Sequence, residues 1–567
     1  MNTFPLPARD IFRRRILLHR LACIASFLVF TKPSMSANID YSSAIPKLET
    51  AVKAELEQYG IGGISLALTD GQRLVHAAGY GEAERDSIFR AGSVSKLFNA
   101  VSVMQLAENG KLSLDAPFAT LPGAVLPVNP FTDAPPITLR QMLCHRSGIQ
   151  REAFVGGYLD DSQPSLKATC ESVRGSVVVT PPNAKTRYSN IVPSLAGEVV
   201  ATVSGQAFEK YQQEHLFAPM NMTRSAWVLR DVPGGKVLPS RLRVADGKGG
   251  FTHETTPLFD LGTIPAGNLF TTAPDLANFI MMLDAKGRGK NGRVLKEESF
   301  TEMTKPQLDP AGAYGIGLAL GKFREHKTIG HNGAVYGHST ALLYLPEVQL
   351  GVVVLANEDI VNARVSRLAN LALSLMLQIK TGEKPPIVPD AMELSAKELE
   401  DYAGPYESQS FWAELSVKDG KLIGNYASQP CVFTPTGKDT FRLNSRIHDD
   451  VPIVFTRAES RIVSGFTAGL QKFGRAGLKR PGIPHEWRAF LGSYGPKFIP
   501  IVVHERYGHL YATTENMVDY RMTPVNRYSF LLPLGMYDDE HAVFQTDKDG
   551  KVHAVDFCNM LLKKNGE

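Results

Sequence analysis

Phe89-Arg-Ala-Gly-Ser93-Val-Ser-Lys96-Leu-Phe98 is the stretch from which the rest of the chain is read. A serine and a lysine three residues apart share one face of a helix. The helical pattern runs from Val94 to Ala107, apolar all round and with no further charge until Glu108. It predicts a buried helix rather than an amphipathic one. Asn109-Gly110 supplies its stop. A helix start offers free N–H groups and positive potential beside Ser93, which suits a developing oxyanion. A serine hydroxyl needs a neighbour to take its proton, and Lys96 can do so once burial lowers its pKa. Ser-x-x-Lys alone is common by chance and reads equally as a capping serine with a surface lysine. The long apolar helix behind it tips the reading toward chemistry.

Two further clusters lie downstream. Tyr188-Ser-Asn190 follows Pro181-Pro182 and precedes a helical stretch beginning near Val192. Its tyrosine can share a proton with Lys96 and its amide can hold a substrate carbonyl, although an ordinary turn would look the same. Ile329-Gly-His331-Asn-Gly333-Ala334 stands ahead of strand-like runs at 341–345 and 350–355. Gly333 has no side chain, so a substrate can lie along that strand edge. Upstream, 61–78 reads as a hairpin turning at Asp70-Gly71, and 361–377 as a closing helix. No HExxH, phosphate loop or Gly-x-Ser-x-Gly elbow occurs, and His145 beside Cys144 lacks companions at metal spacing. No cofactor and no metal is expected.

Composition narrows the class. The 567 residues carry 61 Lys+Arg against 57 Asp+Glu, a net charge of +4. That balance is too weak to point to nucleic acid. Five cysteines are too few for a disulfide scaffold of this length, and 43% hydrophobic residues argue against disorder. Arg13, Arg14 and Arg15, an apolar run from Leu21 to Phe30, and the small residues Ser34, Ser36 and Ala37 read as an export signal over residues 1–37. The run is shorter than the roughly 20 residues a bilayer span needs. The expected location is the periplasm or the medium of a bacterium, with no stable membrane insertion. Cys144, Cys170, Cys431 and Cys558 then mature under oxidising conditions, with three pairings open.

After the Pro-rich segment 381–393 the chain repeats itself. Gly404-Pro-Tyr406 and Gly420-Lys-Leu422 return as Gly492-Ser-Tyr494 and Gly508-His-Leu510, at an offset of 88 read from the numbering. Thr434-Pro435, Phe441 and Val454-Phe455 return as Thr523-Pro524, Phe530 and Val543-Phe544, one residue later. Short alternating runs between Gly, Asn and Asp turns predict two antiparallel β-barrels, a lipocalin-like one at 394–478 and a second at 479–567.

Together these motifs resemble the serine β-lactamase and penicillin-binding-protein superfamily, in its class C and D-aminopeptidase/esterase branch. Gly110-Lys-Leu-Ser-Leu-Asp-Ala-Pro117, Ile137-Thr-Leu-Arg-Gln-Met-Leu143, His145-Arg-Ser-Gly148 and Pro265-Ala-Gly267 agree with it. The resemblance implies an α/β (α+β) transpeptidase-like fold over 38–380, with a central antiparallel sheet flanked by helices. It implies Ser93 as acyl-enzyme nucleophile, Lys96 and Tyr188 as the proton-transfer pair, and Asn190 as substrate holder. His331, Gly333 and Ala334 would form the third substrate-binding motif, Ala334 adding a backbone N–H to the oxyanion hole. Many members have lysine where His331 stands, and a neutral histidine grips a carboxylate poorly. The function expected is cleavage of amide bonds in small peptides, D-aminopeptidase-like and extending to linearised microcystin-type peptides. The alternatives are a carboxylesterase, a β-lactamase or D-Ala-D-Ala carboxypeptidase, and a penicillin-binding sensor without turnover. Partners are limited to a small peptide, amide or ester substrate, and a homodimer is compatible with the sequence.

Overall fold

The computed structural model describes residues 38–245, 251–308, 314–386, 389–477 and 482–566. The expected export signal therefore lies outside the described residues. From Tyr41 onward the chain forms one compact unit. Its organising element is a six-stranded antiparallel sheet built from both ends of the N-terminal body. The strands are β1 (Gly63–Asp70), β2 (Arg73–Gly81), β3 (Ala319–Phe323), β4 (His326–Val335), β5 (His338–Leu345) and β6 (Leu350–Ala356). They lie in the order β2-β1-β6-β5-β4-β3, with Ile64 opposite Ala356.

Helices α1 (Ile45–Tyr59) and α5 (Asn362–Thr381) pack on one face of this sheet, and α4 (Ala273–Asp284) packs on the other. Covered on both faces, β1 and β6 are buried at nearly every position instead of alternating. Beside the sheet, α2 (Ser95–Glu108) packs on α3 (Ile191–Ser204). Twelve of the fourteen residues of α2 are buried, as its uninterrupted apolar pattern requires.

The C-terminal half is all β. Eight consecutive strands from Gly404–Glu407 to Gln471–Arg475 close into a barrel through Tyr406 opposite Arg475. Phe433, Phe441, Phe455, Phe466 and Phe473 fill it. The second repeat is less regular. It forms a four-stranded and a five-stranded sheet, the chain crossing from one to the other at Met522. A bridge between Tyr494 and Lys564 joins the outer edges.

The duplication is visible in fine geometry. Gly404 and Gly492 both have positive φ, +132° and +136°. Two residues later, the Tyr406 hydroxyl donates to Tyr402 O at 2.8 Å and the Tyr494 hydroxyl to Phe490 O at 2.7 Å. The second repeat is not the closed barrel its sequence predicts, and one apolar core links both repeats to Phe259, Leu261, Val335 and Tyr336 of the N-terminal body. Among the described residues the four cysteines, Cys144, Cys170, Cys431 and Cys558, are free and buried, so none of the three pairings forms. Cys144 and Cys431 instead donate to the carbonyls of Gly315 and Gly424.

Candidate active site

The short turn Gly92–Val94 presents Ser93 just ahead of α2. Gly92 has φ +55°, and a Cβ there would stand 2.7 Å from Ala334 N. On the facing strand a Cβ on Gly333 would stand 2.0 Å from Ala91 O and 3.3 Å from Ser93 N. Two glycines thus let the Ser93 turn and β4 meet backbone to backbone. The pairing of β3 with β4 ends at Gly330, opposite Ala319. From His331 to Val335 that edge of β4 faces the Ser93 turn, which brings the backbone of Ala334 beside it.

Lys96 follows one turn later and is 4% exposed. Its Nζ lies 2.9 Å from Ser93 Oγ, 2.9 Å from Asn190 Oδ1 and 2.8 Å from Ala266 O. Burial, aided by the charge of Arg151, holds its pKa well below that of an ordinary lysine. The Tyr188 ring stands 4.9 Å from Lys96 Nζ, and its hydroxyl lies close to Ser93. Burial raises the Tyr188 pKa, so the phenol keeps its proton at neutral pH. The His145 ring packs against Tyr188 at a tilt of 35° with centroids 4.4 Å apart, and burial keeps it uncharged.

Asn190 occupies the N-cap of α3, but its side chain does not cap the helix. The amide instead joins two partners: Oδ1 accepts from Lys96, and Nδ2 donates to Glu152 Oε1 at 2.5 Å. Both ends of the expected substrate holder are therefore engaged within the protein. His331 lies on β4 with its ring centroid 6.0 Å from that of Tyr188. Burial pushes its pKa down to about 4, leaving the imidazole neutral at pH 7.

The structure brings all seven sequence-derived residues together and adds two charged ones, Arg151 and Glu152. The Arg151 guanidinium lies 5.5 Å from the Tyr188 ring centroid and 3.5 Å from Glu152. Glu152 has a side chain with no exposed surface, and burial pushes its pKa up to about 7. The only local signal for this pair was its place two residues beyond the His145-Arg-Ser-Gly148 landmark, after Ile149-Gln150. Ser93, Arg151, Tyr158, Asn190, Thr263 and Ala334 are among the residues that line a narrow cavity of about 40 Å³. Among the described residues no group of His, Cys, Asp or Glu is assembled to hold a metal ion.

An uncharged amine beside a serine hydroxyl, with backbone N–H groups near by, can drive attack on a carbonyl and hold the acyl group that results. Fold and cavity together define a serine hydrolase. The Beta-lactamase family model matches residues 48–375, and the chain belongs to that family.

Relatives are distant. Penicillin-binding protein 4 of Amycolatopsis lactamdurans is 27% identical over 339 residues, 57% of this chain and 85% of that one. The unguisins hydrolase ungD' of Aspergillus campestris is 25% identical over 325 residues, 54% of this chain and 60% of that one. Among solved structures, the octameric penicillin-binding protein homologue from Pyrococcus abyssi superposes with a TM-score of 0.53 at 22% identity. That match covers 76% of this chain and 99% of the other, and it shows a shared fold.

Proposed function

We propose that the protein works through an acyl-enzyme on Ser93, with Lys96 as the base and Tyr188 as the proton relay. The observation that carries this reading is the hydrogen-bond arithmetic at Lys96. Two of its three neighbours, Asn190 Oδ1 and Ala266 O, can only accept. A neutral amine has two protons and one lone pair. In that unprotonated state both protons go to those acceptors and the lone pair faces Ser93 Oγ, 2.9 Å away, whereas the ammonium form donates to the same oxygen. Tyr188, protonated at neutral pH, is suited to pass a proton to the leaving group rather than to start the reaction. Backbone N–H groups of Ser93 and Ala334 would stabilise the oxyanion.

The substrates we propose are amides of small peptides, including peptides with D-residues. An extended peptide can pair with the 331–335 edge of β4, which β3 leaves uncovered. A relative that hydrolyses unguisins agrees with this class. A neutral His331 offers no fixed charge to a substrate carboxylate. We further propose that the enzyme acts in the periplasm or medium, as the N-terminal pattern suggests.

A second reading is acylation by penicillins. It is favoured by Arg151, a cation lining the same cavity as Ser93, and by the similarity to a penicillin-binding protein. Mass spectrometry of products from matched D- and L-aminoacyl amides and small peptides separates the two, combined with burst kinetics on a chromogenic ester. Repeated cleavage of amides supports the proposal. A single stoichiometric burst, with no peptide cleaved, supports a penicillin-acylated sensor instead.

A further inference from the structure

The last repeat reaches back into the catalytic body at one carboxylate. Glu540 Oε1 accepts from the Arg187 guanidinium at 2.8 Å and from the backbone N–H of Arg151 at 3.1 Å. The side chains of Arg187 and Glu540 are 4% and 3% exposed. Each partner lies next to a group of the site. Arg187 immediately precedes Tyr188 in the chain. The Arg151 carbonyl accepts the backbone N–H groups of Asn190 and Ile191 at 2.8 and 3.1 Å, so it anchors the start of α3. One oxygen of the distant domain thus holds both segments that carry the tyrosine and the asparagine. Tyr537, three residues before Glu540, lays its ring 5.3 Å from the Arg151 guanidinium and donates to Glu515 Oε1 at 2.7 Å.

Adhesion between domains does not account for this arrangement. Buried ion pairs contribute little net stability compared with apolar contacts. Glu540 Oε2 is buried with no hydrogen-bond partner, a cost that a purely adhesive contact would avoid. Adhesion is available nearby in any case. Lys185 pairs with Asp538 and Asp539 at the rim, and Phe498 packs on Tyr336 and Phe259.

We infer that Glu540 is a positioning residue of the active site, and that the second C-terminal repeat fixes the placement of Tyr188 and Asn190 through it. The inference rests on the proposed roles of those two residues. Because Tyr188 and Asn190 act on Lys96 and on the proton in transit, their displacement slows acylation more than it weakens binding.

The experiment uses the full chain in four forms: wild type, Glu540→Ala, Glu540→Gln and Lys185→Ala. Acylation rate and KM are measured with a neutral aryl ester, alongside melting temperature. Glu540→Ala is expected to lose acylation rate on the order of 10²-fold, with KM little changed. Glu540→Gln keeps an acceptor for the Arg151 N–H and is expected to retain more of the rate. Lys185→Ala removes only the rim pair and is expected to acylate like wild type. Should Glu540→Ala fail to fold, Glu540→Gln alone decides: slower acylation at an unchanged KM is expected. Wild-type acylation in a folded Glu540 variant overturns the inference, as does an equal loss in Lys185→Ala. Ser93→Ala is run in parallel. If it still acylates, the site reading fails; if it does not while the Glu540 variants remain normal, only this inference fails.

Discussion

Lys96 is the residue whose ionisation governs the proposed chemistry. Catalysis needs the unprotonated amine, and burial moves its pKa well below the ordinary lysine range. Activity should therefore rise with pH as Lys96 loses its proton and level off well below pH 10. A pH profile of kcat/KM on a neutral ester checks this, and an acid limb near the ordinary lysine pKa of about 10.4 contradicts it. Tyr188→Phe should slow acylation severely with little change in ground-state binding, since the hydroxyl acts on the proton in transit. His331→Lys should raise acylation by penicillins relative to neutral esters several-fold, on the order of 1 kcal/mol for one partly exposed charge pair. Competition between a penicillin and an aryl ester at pH 7 reads that shift. At this scale Ser93 and Lys96 were legible because helical spacing alone puts them on one face. Arg151 and Glu152 were not: an adjacent charged pair in sequence reads as solvated surface, and only the fold buries it beside Asn190.

At the scale of elements, the site depends on a close approach between the Ser93 turn and β4. Gly333→Val should insert a side chain where the Ala91 carbonyl already stands. The strand or the turn must move. A displacement of about 1 Å at the reacting atoms costs on the order of 10²-fold in rate. The expected outcome is a folded protein labelled far more slowly by a fluorophosphonate, and labelling at the wild-type rate would show that the contact is dispensable. The need for glycine at 333 could be read from the motif, and the buried character of α2 from its apolar pattern. That the pairing of β3 with β4 ends at Gly330 could not be read, because strand registers depend on the partner's length and not on β4's own sequence.

At the scale of the molecule, the repeat was legible because glycine turns and tyrosines recur at a near-constant offset. The structure gives that recurrence a cause. In each copy a glycine with positive φ precedes a tyrosine whose hydroxyl returns to a carbonyl four residues upstream. Tyr406→Phe and Tyr494→Phe should each cost about 1–3 kcal/mol by leaving a buried carbonyl unpaired. Denaturant titration of both variants checks this, and unchanged midpoints would make the hydroxyls incidental. The docking of the second repeat at Glu540 was not legible. Its partners Arg151 and Arg187 lie more than 350 residues upstream and carry no shared pattern.

The central claim is that acyl transfer begins at Ser93. Peptide mapping by mass spectrometry after fluorophosphonate treatment of wild type and Ser93→Ala tests it most directly. The account predicts a single adduct on the peptide containing Ser93 and none in the variant. An adduct on another residue, or undiminished labelling of Ser93→Ala, would contradict it.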